Sequence, residues 1–221
     1  MKVRFICGYY SKLAHENKQR RPEDYWDAYN FCWAVKYGTF KPVFNIHDTA
    51  GNKTQVTKKN FNIVRPTFGK WIDKSATTFS GRNVALVPVP SKDGIAGAKS
   101  FRSLDMTNEA LKGSTLAKQV SSGLRWKKKL TEAHLGGTRS RALLAPMLDA
   151  DTSLKGKDII LIDDLVTTGS SMLASADVLA KAGANVLGAV VCGKTIYDLK
   201  TPHFGEQEFD LTDELADWTP N

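Results

Sequence analysis

The chain has 221 residues, 42% of them hydrophobic and 24% charged, with a formal net charge of +8. That is ordinary globular composition, enough for one domain with an elaboration and a proper core. No apolar run approaches the length of a membrane span, and no secretory leader is legible at Met1-Lys2-Val3-Arg4. Cys7, Cys32 and Cys192 are an odd, scattered set, which fits reduced thiols in a cytoplasmic protein better than a disulfide framework or a zinc site. Residues 206–217 are acidic, so the body is more basic than the total. A basic body suits a polyanionic small substrate and also nucleic acid, and charge alone does not choose.

Residues 3–9 have strand composition, and 11–21 are polar and basic. Pro22-Glu23-Asp24 reads as the first turn of a helix, with proline and acids where the dipole favours them. Tyr25, Trp26, Tyr29, Cys32, Trp33 and Lys36 follow at helical spacing. This stripe is read as a packing face rather than a base-stacking platform. Residues 40–46 predict a strand, 48–53 a turn, and Lys58-Lys59-Asn60 a solvated edge. Thr67 is the expected N-cap of a helix over 68–79.

Residues 84–90, Val-Ala-Leu-Val-Pro-Val-Pro, predict a buried strand that opens into the loop Ser91-Lys92-Asp93-Gly94. A helix is expected over 112–124, capped by Ser114 or Thr115, with Leu116, Val120 and Leu124 one turn apart. Arg125-Trp126-Lys127-Lys128-Lys129 comes next. Such a run is usually a solvated face, although a tryptophan among cations is also a single-strand-binding pattern. Gly136-Gly137-Thr138-Arg139-Ser140-Arg141 then leads into a short helix reaching about Leu148.

Chemistry concentrates in residues 158–171. Ile159, Ile160, Leu161 and Ile162 form a continuous apolar run, as in a strand buried on both faces. Asp163 and Asp164 stand where it emerges, followed by Thr167, Thr168, Gly169, Ser170 and Ser171 and a helix over 172–182. A helix that opens at a small hydroxyl-rich turn presents unpaired N–H groups to a phosphate, and a glycine there admits close approach. Paired carboxylates just upstream can accept hydrogen bonds from vicinal hydroxyls. Phosphate cradle and diol clamp together describe a site for a phosphorylated sugar. A Walker B strand or a receiver-domain strand would also end in paired acids, but neither calls for Thr-Thr-Gly-Ser-Ser.

This stretch closely resembles the phosphoribosyl-pyrophosphate (PRPP) motif of type I phosphoribosyltransferases, and the Val-Pro-Val-Pro strand resembles the competence-protein ComF branch of that family. The resemblance covers residues 84–195. It implies an α/β fold, a parallel sheet core flanked by helices, with an N-terminal extension and a C-terminal segment forming a hood. The boundaries expected are 1–80 for the extension, 81–199 for the core and 200–221 for the acidic segment, which carries Phe204, Phe209, Leu211, Leu215 and Trp218.

By the same resemblance Thr167 to Ser171 would hold the 5′-phosphate and Asp163 and Asp164 the ribose hydroxyls. Ser91, Lys92, Asp93 and Gly94 would hold the pyrophosphate, with Mg²⁺ reaching the acids only through PRPP and water. Arg139 and Arg141 would come from a mobile loop that closes over the donor; decoration of the following helix is the equal alternative. The implied activity is transfer of a phosphoribosyl group to a nucleobase or related amine. A homodimer and single-stranded nucleic acid are secondary expectations, and a PRPP-sensing regulator without turnover is a third reading. In 6-oxopurine enzymes of the family an acid occupies the position of Thr167, which points to another acceptor. ComF relatives usually begin with a cysteine cluster that this chain lacks. Residues 188–195 also satisfy the Walker A spelling, but Ala189, Val190, Val191 and Cys192 are strand material where that motif needs a loop. Lys194 and Thr195 end that strand and could face the site.

Overall fold

The computed structural model describes residues 1–10, 21–79, 84–129 and 140–215. In chain order it forms β1 (Lys2–Tyr10), α1 (Glu23–Tyr37), β2 (Phe44–His47), β3 (Lys53–Val56), α2 (Val64–Ala76) and β4 (Val84–Pro88). Then come α3 (Arg102–Ala110), β5 (Leu124–Trp126), the one-turn α4 (Arg141–Leu144) and β6 (Leu148–Ala150). The chain continues through β7 (Asp158–Val166), α5 (Ser170–Lys181), β8 (Asn185–Ile196) and β9 (Phe204–Asp210).

The central sheet runs β4-β7-β8-β1-β9, and its first four strands are parallel. Alternation along β7 splits the core in two. Ile160 and Ile162 face a cluster with Phe31, Val35, Phe68, Ile72 and Met106 from α1, α2 and α3. Ile159 and Leu161 face Leu124, Trp126, Leu144, Leu173 and Leu179 on the opposite side. Every strand residue from Ile159 to Ile162 is therefore buried, which explains why that run has no polar position. α1 obeys its sequence signals: Pro22 caps it, Glu23 and Asp24 fill its first turn, and Gly38 ends it at φ 64° with its N–H on the Ala34 carbonyl.

Several elements differ from expectation. Thr67 lies inside α2, its hydroxyl donating to the Ile63 carbonyl at 2.8 Å, and the helix starts at Val64 after a 3₁₀ turn. No helix spans 112–124. Gly113 at φ 87° stops the chain after α3, and a 3₁₀ turn, Thr115–Gln119, leads to β5. The amphipathic helix of this region is α3, which buries Leu104, Met106, Thr107 and Ala110.

The two outer segments are not separate layers. β1 lies between β8 and β9, so residues from 1–80 and from 200–221 complete the sheet of the core. The acidity of the last segment is used at that edge: Arg4 pairs with Glu206 and Glu208 at 2.9 Å each, and Lys2 pairs with Glu208 at 2.7 Å. Among the described residues no helix is long and apolar enough to cross a membrane.

Candidate active site

Parallel pairing brings Pro88 beside Ile162, so the chain leaves β4 and β7 at the same sheet edge. There a cavity of about 850 Å³ opens. It is lined by Ser91 and Lys92 after β4, by residues 163–172, by Arg102, by Lys36 and Tyr37 from α1, and by Glu214 and Leu215.

The turn between β7 and α5 is built as its composition predicts. Gly169 takes φ 80°, and a Cβ on it would come within 2.8 Å of Leu211. Gly169 itself has no side chain to cap α5; the Ser170 N–H meets Thr168 Oγ1 at 3.4 Å, and the amides that follow in the first turn of this twelve-residue helix face outward for an incoming anion. The Thr168 and Ser170 hydroxyls meet at 2.8 Å, and Thr167 shares a hydrogen bond with Thr195 at 2.9 Å. The Glu214 carboxylate lies against this turn, held below its ordinary range by the Ser170 hydroxyl first and the Arg141 N–H second.

The acids continue the alternation of β7. Asp164 falls on the α1–α3 side and is buried; Lys36 Nζ donates to its Oδ1 at 2.7 Å and Arg102 lies 3.8 Å from its Oδ2. Asp163 accepts the Asp164 backbone N–H at 2.8 Å. Its carboxyl is pushed up to about 8, by burial first and then by the charge of Asp164, against the opposing pull of Lys36. Two carboxylates side by side in a sheltered pocket do not both ionise freely.

The loop after β4 is stapled from within. Ser91 Oγ donates to Asp93 Oδ1 at 2.5 Å, and Asp93 Oδ2 accepts the Arg102 backbone N–H at 2.9 Å. Burial raises the Asp93 pKa, but the Ser91 hydroxyl and the Arg102 N–H outweigh it and hold the group below the usual carboxylate range. Ser91 and Lys92 reach the cavity, while Asp93 and Gly94 shape the loop behind its lining.

Trp126 is not a nucleic-acid platform. It is 2% exposed, and its Nε1 donates to the Pro90 and Ser91 carbonyls at 2.9 and 3.1 Å, anchoring the same loop. Arg125 is also structural, bonding the Ser122 and Ala98 carbonyls. Arg141 grips Asp177 of α5 through two 2.7 Å hydrogen bonds and is not among the residues that line the cavity. Arg139 and Trp218 lie outside the described residues. Lys194 lies over the Phe209 ring at 4.4 Å, away from the cavity lining.

Sequence reasoning missed Lys36, Tyr37 and Arg102 as site residues. Arg102 opens α3 after the loop that follows β4, and its buried Nε has no hydrogen-bond partner among the described residues. The usable signal was the amphipathic stretch over 101–111, which begins with a guanidinium.

Residues 95–202 match the family described as phosphoribosyl transferase domain. The chain thus carries a type I phosphoribosyltransferase domain. A hypoxanthine-guanine phosphoribosyltransferase of Lactococcus lactis subsp. lactis (strain IL1403) is 32% identical over 71 residues, 32% of this chain and 39% of that protein. An adenine phosphoribosyltransferase of Mycolicibacterium gilvum (strain PYR-GCK) is 50% identical over 38 residues, 17% of this chain and 21% of that protein. The matched stretch thus spans well under half of either relative. Among solved structures, an adenine phosphoribosyltransferase aligns over 79% of this chain and 98% of its own, with a TM-score of 0.42 at 12% identity. The orotate phosphoribosyltransferase of Mycobacterium tuberculosis H37Rv aligns over 76% of this chain and 84% of its own, with a TM-score of 0.39 at 11% identity. These matches do not support the ComF-like branch or a regulator without turnover.

Proposed function

We propose that the chain transfers a 5-phosphoribosyl group from PRPP to a nitrogen of a small acceptor, a nucleobase or related amine, and releases pyrophosphate. The observation that carries this reading is the meeting on one cavity of a glycine-turned helix start, a carboxylate pair and two cationic side chains, Lys92 and Arg102. In this reading the turn from Thr167 to Ser171 takes the 5′-phosphate through amides and hydroxyls. Asp163 and Asp164 accept the ribose hydroxyls. Lys92 and Arg102 take the pyrophosphate, Arg102 with a donor that the protein itself leaves unsatisfied.

The C1–oxygen bond to pyrophosphate breaks, a bond from the acceptor nitrogen to C1 forms, and the acceptor's proton leaves to solvent. Positive charge gathers on the ribose in the transition state, where Asp163 and Asp164 stand, and negative charge gathers where Lys92 and Arg102 stand. Fixing donor and acceptor in one cavity supplies most of the remaining rate.

The donor set fits Mg²⁺ held through the substrate. Oxygen ligands suit it, and it ordinarily keeps several waters and substrate phosphates. Asp164 is already engaged by Lys36 and Arg102, so the ion would be held by PRPP and water, with these acids behind them. When bound, it neutralises charge on the departing pyrophosphate. Thr167, paired to Thr195, offers no carboxylate for an acceptor proton, which favours an acceptor other than a 6-oxopurine. Tyr37 and Leu215 border the part of the cavity left for it.

The test is release of pyrophosphate by the full chain with PRPP, Mg²⁺ and a panel of nucleobases and heterocyclic amines. Steady release with one acceptor class is expected; no release with any acceptor overturns the reading.

A further inference from the structure

Three cysteines far apart in sequence meet in the core. Cys7 of β1, Cys32 of α1 and Cys192 of β8 place their Sγ atoms within 4.8 Å of one another, and all are free thiols. None is more than 3% exposed. Cys192 and Cys32 are 3.7 Å apart, sulfur to sulfur.

Two local devices bring them together. The register of β1 against β9 shifts between Phe5 and Cys7. Val3 and Phe5 face the α5 side, yet Ile6 and Cys7 both face α1, so the irregularity re-aims Cys7 toward the other two thiols. At Gly193 a Cβ would stand 2.6 Å from Cys32 Sγ. The missing side chain leaves the space that the Cys32 sulfur occupies.

We propose that Cys7, Cys32 and Cys192 form a closed, three-coordinate site for a soft monovalent d¹⁰ cation, of the Cu(I) class. The size agrees. A planar ion about 2.3 Å from each of three sulfurs holds them about 4 Å apart, inside the observed spacing. The ligand type agrees too, since thiolates select soft ions. Zinc is the poorer fit because its structural sites take four ligands, and the surroundings are hydrocarbon, with Leu165 and Tyr9 closing the side at Gly193. Each thiol that ligates does so as the thiolate, so binding releases the protons of the ligating thiols and tightens as pH rises.

The site is separate from the proposed donor cavity but adjoins it. Cys192 stands between Val191 and Gly193, the ladder partners of Asp163 and Leu165, and Cys32 lies one helical turn before Lys36. Its ligands therefore hold α1, which carries Lys36, against β8, the ladder neighbour of the strand that carries Asp164.

The experiment loads the full chain with Cu(I) under anaerobic, reducing conditions, both in the native state and during refolding, because a buried site fills most readily as the chain folds. A chromogenic bidentate Cu(I) chelator competes for the ion. One equivalent retained, with X-ray absorption showing three sulfurs at about 2.3 Å, is expected. Cys7→Ala should lower affinity by at least about 100-fold, since losing an outer-shell partner alone costs roughly 10- to 100-fold. Circular dichroism of the variant establishes that it folds; if it does not, the absorption spectrum of the unaltered chain decides. No retained copper, nitrogen or oxygen ligation, or undiminished affinity in a folded Cys7→Ala would overturn the site. Retention of Zn²⁺ but not Cu(I) on the same sulfurs would overturn the monovalent assignment.

Discussion

The two ends of the cavity are built in opposite ways. The turn proposed for the phosphate is local: β7 hands over to α5 within a few residues, and the Thr168 and Ser170 hydroxyls bond one another. The end proposed for the ribose is assembled from afar. Lys36, which donates to Asp164, is 128 residues away in sequence, and Arg102 comes from a third helix. The reason is electrostatic. A turn that binds with backbone amides needs only its own residues, whereas a buried carboxylate needs a cation before any ligand arrives. The phosphate end should therefore tolerate change elsewhere in the chain, and the ribose end should not.

The largest expected effect falls on the acids. Replacing Asp163 and Asp164 together by Asn should lower PRPP-dependent turnover about 10³-fold, the scale seen when a charge-stabilising group leaves a transition state. Far-ultraviolet circular dichroism should be unchanged. Retained pyrophosphate release would remove these carboxylates from the chemistry and with them the contrast between the two ends.

Arg102→Ala comes next. Losing a charge-assisted contact of roughly 1.5–3 kcal/mol should raise the KM for PRPP about 10- to 100-fold. The Asp93 contact uses the Arg102 backbone N–H and survives the substitution, so the loop after β4 should hold. Steady-state kinetics in PRPP would sink the assignment if KM were unmoved. A smaller effect is expected from Gly169→Ala at the local end. A non-glycine residue in the left-handed region costs about 1–2 kcal/mol, and the new methyl group would press on Leu211. Chemical denaturation should show that loss; a variant as stable as the parent would mean that the turn relaxes easily.

The same contrast governs what could be read in advance. β4, β7, α5, β8 and the turn at Gly169 announce themselves because their signals are contiguous: four apolar residues, two acids, a hydroxyl-rich turn. Lys36 sat in plain view on an aromatic helix, but nothing in that helix says that its last turn ends at a carboxylate of β7. Trp126 was misleading for a related reason. Its neighbours are cations, and only the fold reveals that its ring is enclosed and its N–H spent on the loop after β4. The cysteines looked scattered because their meeting depends on strand order, with β1 inserted beside β8, and on a register shift that no short window contains. The pairing of β1 with β9 was hidden for the same reason: strands from the two ends of the chain meet without any local pattern to announce it.

A pH series tests whether the end proposed for the ribose is held under electrostatic tension without ligand. Asp163 titrates near 8 in the folded chain and near 3.9 when unfolded. Between those values the folded state holds a proton that the unfolded state has lost. The contribution of this group to stability is therefore fully present below about pH 4 and is lost as pH rises through 8. Urea denaturation of the ligand-free chain at several pH values from 5 to 9 should show stability declining over that span, with a shallower decline in Asp163→Asn. Equal slopes in parent and variant would mean that Lys36 already neutralises the pair and that the acids face the donor without stored repulsion. A steeper slope in the parent would instead mark Asp163 as the carboxyl whose ionisation the sugar and its cation must draw out.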